Sequence, residues 1–205
     1  MGKDKTVILV RTRQDEQTVF SYDWAEAIKQ AFLEQGWMVQ DCSEAKALRA
    51  KVEKSLTESG TVFMFYGHGL PDRLIGQNNQ PVCDLSNSSL FKDYAVYVMA
   101  CHSAKILGPA MIKDGASCYF GYADEIMIDF QHSDDIGICI NSGLLEWIKN
   151  PQFSAVQIRH IIFAKYNQWI DFHSDIGGQH ALFAADLRHN RDALKLLGNT
   201  QTSLI

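Results

Sequence analysis

The chain has 205 residues, 46% hydrophobic and 21% charged, enough to bury one substantial core, and the expectation is a single domain over residues 1–205. A net charge of −5 with no clustered run of Lys and Arg speaks against a nucleic-acid groove, because neutralising a phosphate backbone needs a basic surface. Five scattered cysteines without a CxxC pair give neither a disulfide framework nor a zinc knuckle, and no apolar leader or run of about 18 apolar residues occurs, so a reducing cytoplasm without membrane attachment is expected.

The opening MGKDKT fits a loose acylation pattern through Gly2 and Thr6, but Thr6 already reads as strand, and chance explains the match better. TVILVRT (6–12) is a short apolar run without helical period, the pattern of a strand covered on both faces. Ser21 or Asp23 can cap a helix over 23–35, in which Trp24, Ile28, Ala31 and Phe32 recur at helical spacing until Gly36 stops it. WMVQDC (37–42) reads as the second strand, and residues 43–60 as a helix with Ala47, Leu48, Val52 and Leu56 on one face, ended by Gly60. TVFMFYG (61–67), YAVYVMA (94–100) and ASCYFGY (116–122) are the third to fifth strands, the last preceded by a helix in AKILGPAMIKDG (104–115).

Between the third and fourth strands, two apolar pieces flank Gln77 to Gln80 and suggest a small hairpin followed by one or two helical turns. From Ser133 onward the texture is helical only, in segments 134–150, 153–173 and 180–198. The alternation predicts an α/β fold, a three-layer α/β/α sandwich with a mostly parallel sheet and a helical C-terminal third covering it.

Ligands of open parallel sheets gather at the carboxyl ends of strands, near a switch in winding direction. There the third strand ends in Tyr66-Gly67-His68-Gly69 and the fourth in Ala100-Cys101-His102-Ser103, so neighbouring strands would set His68 beside Cys101. An imidazole that takes a thiol's proton makes the thiolate that attacks carbonyl carbon, and backbone N–H groups near Gly69 and Cys101 could hold the resulting oxyanion.

YGHG ending one strand and VMACHSA ending the next, with the cysteine 33 residues after the histidine, resemble the His-Gly and Ala-Cys motifs of the caspase-like clan of cysteine peptidases. That clan includes caspases, metacaspases, separases, gingipains and bacterial CHAT domains. The resemblance extends through GPAMIKDGASCYFGYADE and weakens over the helical tail, although NRDALKLLGN is similar to the way several such domains end. It implies a caspase-like fold, Cys101 as nucleophile, His68 as general base and acid, Gly69 and Cys101 as oxyanion donors, and no metal or other cofactor. It also implies a protein or peptide substrate and a bacterial effector protease switched on by a partner or signal. Metacaspases resemble CHS at this site too, but carry an acid two positions before the cysteine; here that position is Met99, so a preference for Arg or Lys does not follow. Asp124 and Glu125 are the alternative acids for a basic substrate side chain, or else solvated loop residues.

A cysteine after an apolar run is most simply a small core side chain, which suits Cys42, Cys83, Cys118 and Cys139. His102, adjacent to Cys101, should point away from it toward a loop or partner. The tail histidines His132, His160, His173, His180 and His189 form no HExxH-like pair and read as surface or capping residues, and Asp134 and Asp135 as acids favouring a helix dipole. Aromatic residues of the tail, Phe163, Tyr166, Trp169 and Phe172, could form core, a homo-oligomer face or a regulatory-partner surface. Neither a Gly-Lys-Ser/Thr phosphate loop nor a Gly-x-Ser-x-Gly elbow occurs. The alternative to a peptidase is a caspase-like interaction module whose dyad is idle.

Overall fold

Period-2 alternation along the strands, with both faces apolar, decides the architecture. The computed structural model describes residues 5–58 and 61–205. Its main sheet contains β1 (Thr6–Arg11) and β2 (Met38–Ser43), then β3 (Val62–Tyr66). Between β3 and the next main strand lie three short strands, β4 (Gly69–Leu70), β5 (Arg73–Ile75) and β6 (Pro81–Asp84). The main sheet resumes with β7 (Ala95–Met99) and β8 (Cys118–Tyr122) and closes with β9 (Leu194–Gly198). The order is β2-β1-β3-β7-β8-β9, parallel throughout except for β9, which runs antiparallel to β8.

Val7 and Leu9, Val62, Met64 and Tyr66, and Tyr97 and Met99 feed one core; Ile8 and Val10, Phe63 and Phe65, and Val96 and Val98 feed the other. The first core is covered by α1 (Glu16–Glu34), α4 (Ser133–Lys149), α5 (Ala155–Ile176) and α6 (Gln179–Ala193). The second is covered by α2 (Arg49–Glu58), α3 (Leu107–Lys113) and the small β4-β5-β6 sheet. This is the three-layer sandwich with a mostly parallel sheet that the sequence predicts. A buried polar link crosses the first core: the Tyr66 hydroxyl donates to Asn141 Oδ1 at 2.8 Å, and Asn141 Nδ2 donates to the Trp24 carbonyl at 2.8 Å, so the Tyr66 hydroxyl and the Asn141 amide are both paired.

Several boundaries differ from the sequence expectation, each for a local reason. Helix α1 starts seven residues early, because Asp15 caps it: Thr18 N donates to Asp15 Oδ1 at 3.0 Å and Asp15 N to Thr18 Oγ1 at 2.9 Å, a reciprocal capping box. Ser21 and Asp23, the expected caps, lie inside the helix. Residues 43–60 do not form one helix; a 3₁₀ turn at Glu44–Lys46 precedes α2, with Glu44 at φ 46, and Leu48 is exposed. Gly60 lies outside the described residues, as does Gly2. Residues 194–198, expected to continue the last helix, instead form β9, since Leu194 to Gly198 can pair along the open edge of β8. The insertion gains β4 beyond the expected hairpin. Among the described residues no helix is long and apolar enough to cross a membrane.

Candidate active site

Strand register sets the two motif residues side by side. β3 and β7 are parallel neighbours with Tyr66 opposite Met99, and Gly67 N extends the ladder by donating to the Met99 carbonyl at 3.2 Å. Two residues beyond each partner come His68 and Cys101. The chain reverses its winding between β1 and β3, because β2 lies outside β1 while β3 and β7 follow on the other side. A cleft of about 440 Å³ opens at this carboxyl rim, lined by His68, Gly69, Met99, Cys101, His102, Glu125 and Ile126 among others.

Two glycines permit the close approach of these segments. A Cβ on Gly69 would stand 2.7 Å from the Cys101 carbonyl oxygen and 2.8 Å from Ala100 Cβ, and one on Gly67 would strike Thr12 Oγ1. The turn after Cys101 is fixed from below by buried Ser103. Its hydroxyl donates to the Ala100 carbonyl at 2.9 Å and accepts from Tyr122 N at 3.2 Å, while the Tyr119 hydroxyl donates to the Ser103 carbonyl at 3.0 Å.

His68 is oriented by a residue that sequence reasoning missed. Its Nε2 lies 2.6 Å from Asp15 Oδ2, so the residue that caps α1 with one carboxylate oxygen holds the imidazole with the other. Partial burial alone would raise the Asp15 carboxyl, but the hydrogen bonds from His68 and Thr18 outweigh it and keep its pKa below the usual carboxylate value. A proton on Nε2 donated to Asp15 leaves Nδ1 bare to accept another. The signal was present in the sequence as Asp15-x-x-Thr18 just after β1, at the winding switch.

Cys101 is half-buried, and its sulfur accepts a hydrogen bond from Ile126 N at 3.3 Å. Burial pushes its thiol pKa up; the Ile126 N–H works against that shift, while the Glu125 and Asp124 carboxylates add to it. Among the described residues the sulfur makes no hydrogen bond to His68, so the two groups face one cleft across a gap. The other four thiols are fully buried, and burial raises Cys118 to about 12 and Cys83 and Cys139 still further.

The expected acids separate. Glu125 lines the cleft, whereas Asp124 does not; the Asp124 carbonyl accepts from His102 N at 3.1 Å. Met99 is buried in the cleft wall. His102 takes a left-handed backbone, φ 57, unusual for a residue with a side chain, and its ring sits 3.7 Å from Asp124 Oδ1 and 3.9 Å from Glu125 Oε1. Although expected to point away from Cys101, it lines the same cleft.

The tail histidines need a correction: His132, His173 and His180 are not separate surface or capping groups but form one cluster. Asp135 stands in the first turn of α4 as expected, yet also contacts His173 Nε2 at 3.2 Å.

No family model and no curated protein sequence matches the chain. Among solved structures, it is similar to the Arg-specific cysteine proteinase gingipain R, with TM-score 0.63 and 9% identity over 97% of this chain and 47% of that one. It is also similar to the complex of Porphyromonas gingivalis RgpB pro- and mature domains, with TM-score 0.66 and 6% identity over 96% of this chain and 48% of that one. The chain thus spans about half the length of the solved chains it matches. At these identities the likeness concerns the fold alone, the α/β/α sandwich with a mostly parallel sheet.

Proposed function

We propose that the chain is a cysteine endopeptidase with Cys101 as nucleophile and His68 as general base and acid. The observation that carries this reading is the β3–β7 register, which brings both residues to one cleft with the carboxylate of Asp15 on Nε2 of the imidazole. His68 Nδ1 takes the thiol proton; the sulfur attacks the substrate carbonyl carbon, and N–H groups of Gly69 and Cys101 receive the oxyanion. His68 then protonates the departing amine, leaving a thioester on Cys101, and activates the water that hydrolyses it. Asp15 acts as a positioning residue that fixes the tautomer.

The substrate is a protein or peptide. Glu125, on the cleft wall, is the carboxylate that would receive a basic side chain next to the scissile bond, with Met99 forming an apolar part of the wall. Gingipain R is described as Arg-specific, which agrees with that assignment without deciding it. The thiol raised by burial, with the Glu125 and Asp124 carboxylates adding to the shift, supports a chain that rests in a low-reactivity state and is activated by a partner, a signal or a second copy. The similar RgpB structure is described as a complex of pro- and mature domains, which agrees with a protein partner without deciding it.

The same raised thiol favours the second reading, an idle interaction module. Labelling with an electrophilic peptide probe separates the two. Wild-type labelling that disappears in Cys101→Ala and falls in His68→Ala supports the peptidase. Labelling that persists in Cys101→Ala, or none even at alkaline pH, supports the idle module.

A further inference from the structure

Three imidazoles that peptide hydrolysis does not use converge in the helical layer. His132 ends the 3₁₀ turn Phe130–His132 ahead of α4, His173 lies in the last turn of α5, and His180 opens α6. The reversal between the two helices is made by Gly177 and Gly178 at φ 74 and 60, a left-handed pair that lets His180 fold back onto His173. One ring nitrogen from each histidine lies within 4.8 Å of the others.

Their second nitrogens are mostly accounted for. His132 Nδ1 meets Asp129 Oδ2 at 3.1 Å, leaving Nε2 for another partner; His173 Nε2 meets Asp135 Oδ2 at 3.2 Å, leaving Nδ1. A carboxylate on the outer nitrogen of an imidazole is the arrangement that orients metal-ligating histidines and raises their basicity. His173 Nδ1 and His180 Nδ1 face each other at 2.9 Å, so one proton lies between two nitrogens. The rings are held by packing: His132 stacks on Phe183 with centroids 4.4 Å apart, and His173 on Trp169 at 5.6 Å. His173 is buried, so its ring is fixed in place by the side chains around it.

We propose that His132, His173 and His180 form a binding site for one divalent transition-metal ion of the zinc class. The ligand atoms are His132 Nε2 and the Nδ1 atoms of His173 and His180. On binding, the proton between the two Nδ1 atoms moves to His180 Nε2, so both lone pairs face the ion and no redox step is needed. Zinc–nitrogen bonds of about 2.0–2.1 Å in a tetrahedron put ligand nitrogens about 3.3 Å apart, so the close pair opens by only a few tenths of an ångström. The fourth position is open to water. Three imidazoles without a carboxylate or thiolate ligand suit zinc, copper or nickel rather than calcium or magnesium. The ion ties the α5–α6 hairpin to the segment that begins at Ile126, whose N–H holds the Cys101 sulfur.

The inference does not rest on the peptidase reading, and its test needs no turnover. Equilibrium dialysis against Zn²⁺ is run on the full chain carrying Cys101→Ser, so that the cleft thiol holds no metal. One saturable equivalent per chain is expected. His180→Asn, a change in the first turn of α6 outside the core, should weaken it by at least about 100-fold, and Asp135→Asn by about 10–100-fold. Co²⁺ should give the visible absorption of a tetrahedral site in the parent and none in His180→Asn. Lack of saturable binding, or equal binding in His180→Asn and His132→Phe, overturns the proposal; thermal unfolding of each variant certifies that it is folded.

Discussion

Two carboxylate–imidazole pairs, built alike, stand in different surroundings. At the cleft, Asp15 holds Nε2 of His68 at 2.6 Å, and both side chains are about two-fifths exposed, at 43% and 37%. In the helical layer, Asp135 holds Nε2 of His173 at 3.2 Å, and the imidazole is 2% exposed. Each carboxylate fixes a tautomer that leaves Nδ1 bare. What the bare nitrogen meets differs: a cleft shared with a thiol in the first case, a second imidazole in the other. The pair itself therefore does not define the chemistry; the group on the other side of the ring does.

The largest effects should come from removing the groups at the cleft. Cys101→Ala should abolish probe labelling, and His68→Ala should slow it by about 10²–10⁴-fold, measured as second-order labelling rates. Equal rates in wild type and His68→Ala would break the parallel, since the cleft imidazole would then serve no proton transfer. Gly69→Ala should come next. Its Cβ meets backbone at Cys101 and must displace it, so labelling should fall by about 10²-fold, with a stability loss of about 1–3 kcal/mol in denaturant unfolding.

Asp15→Asn sharpens the comparison most directly, because Asn still caps α1 while losing the charge. A fall of about 10–100-fold in labelling without a change in melting temperature is expected. Asp15→Ala should add a cap loss of about 1 kcal/mol, read in thermal or denaturant unfolding.

The pH response of the isolated chain is a gradual effect. Burial raises the Cys101 thiol above its ordinary 9.0, so the thiolate is a minor species at neutral pH and labelling should rise about tenfold per pH unit until that raised pKa is reached. A plateau near neutrality would show that the imidazole already holds the proton. Smallest of all is Glu125→Gln. An anion beside the sulfur disfavours thiolate, so removing it lowers the thiol pKa and should speed labelling at neutral pH a few-fold with a neutral probe. With a probe carrying Arg next to the electrophile, the same change should slow it.

Within the sheet, sequence and structure agree where each strand is apolar on both faces. TVILVRT, TVFMFYG and YAVYVMA were legible because continuous burial leaves no helical period, and their ends then located His68, Gly69 and Cys101 on one rim. The last strand was not legible. Leu194 to Gly198 follows a helix without a break in composition, and only the unpaired edge of β8 makes it a strand. The early start of α1 is encoded locally, in the Asp15-x-x-Thr18 capping box.

The sequence by itself determined the α/β alternation and the residue types at the strand ends, because alternation and strand length are local properties; the register that sets Tyr66 opposite Met99 belongs to the assembled sheet. Only the tertiary structure decided which carboxylate faces which imidazole. Asp15 and His68 are 53 residues apart, and Asp135 and His173 are 38 apart; neither spacing carries a signal of contact. The same holds for the three clustered histidines, which sit on a turn and two helices and meet through helix packing and one glycine-made reversal. Such meetings follow from how layers pack on the sheet, and no period in the chain encodes them.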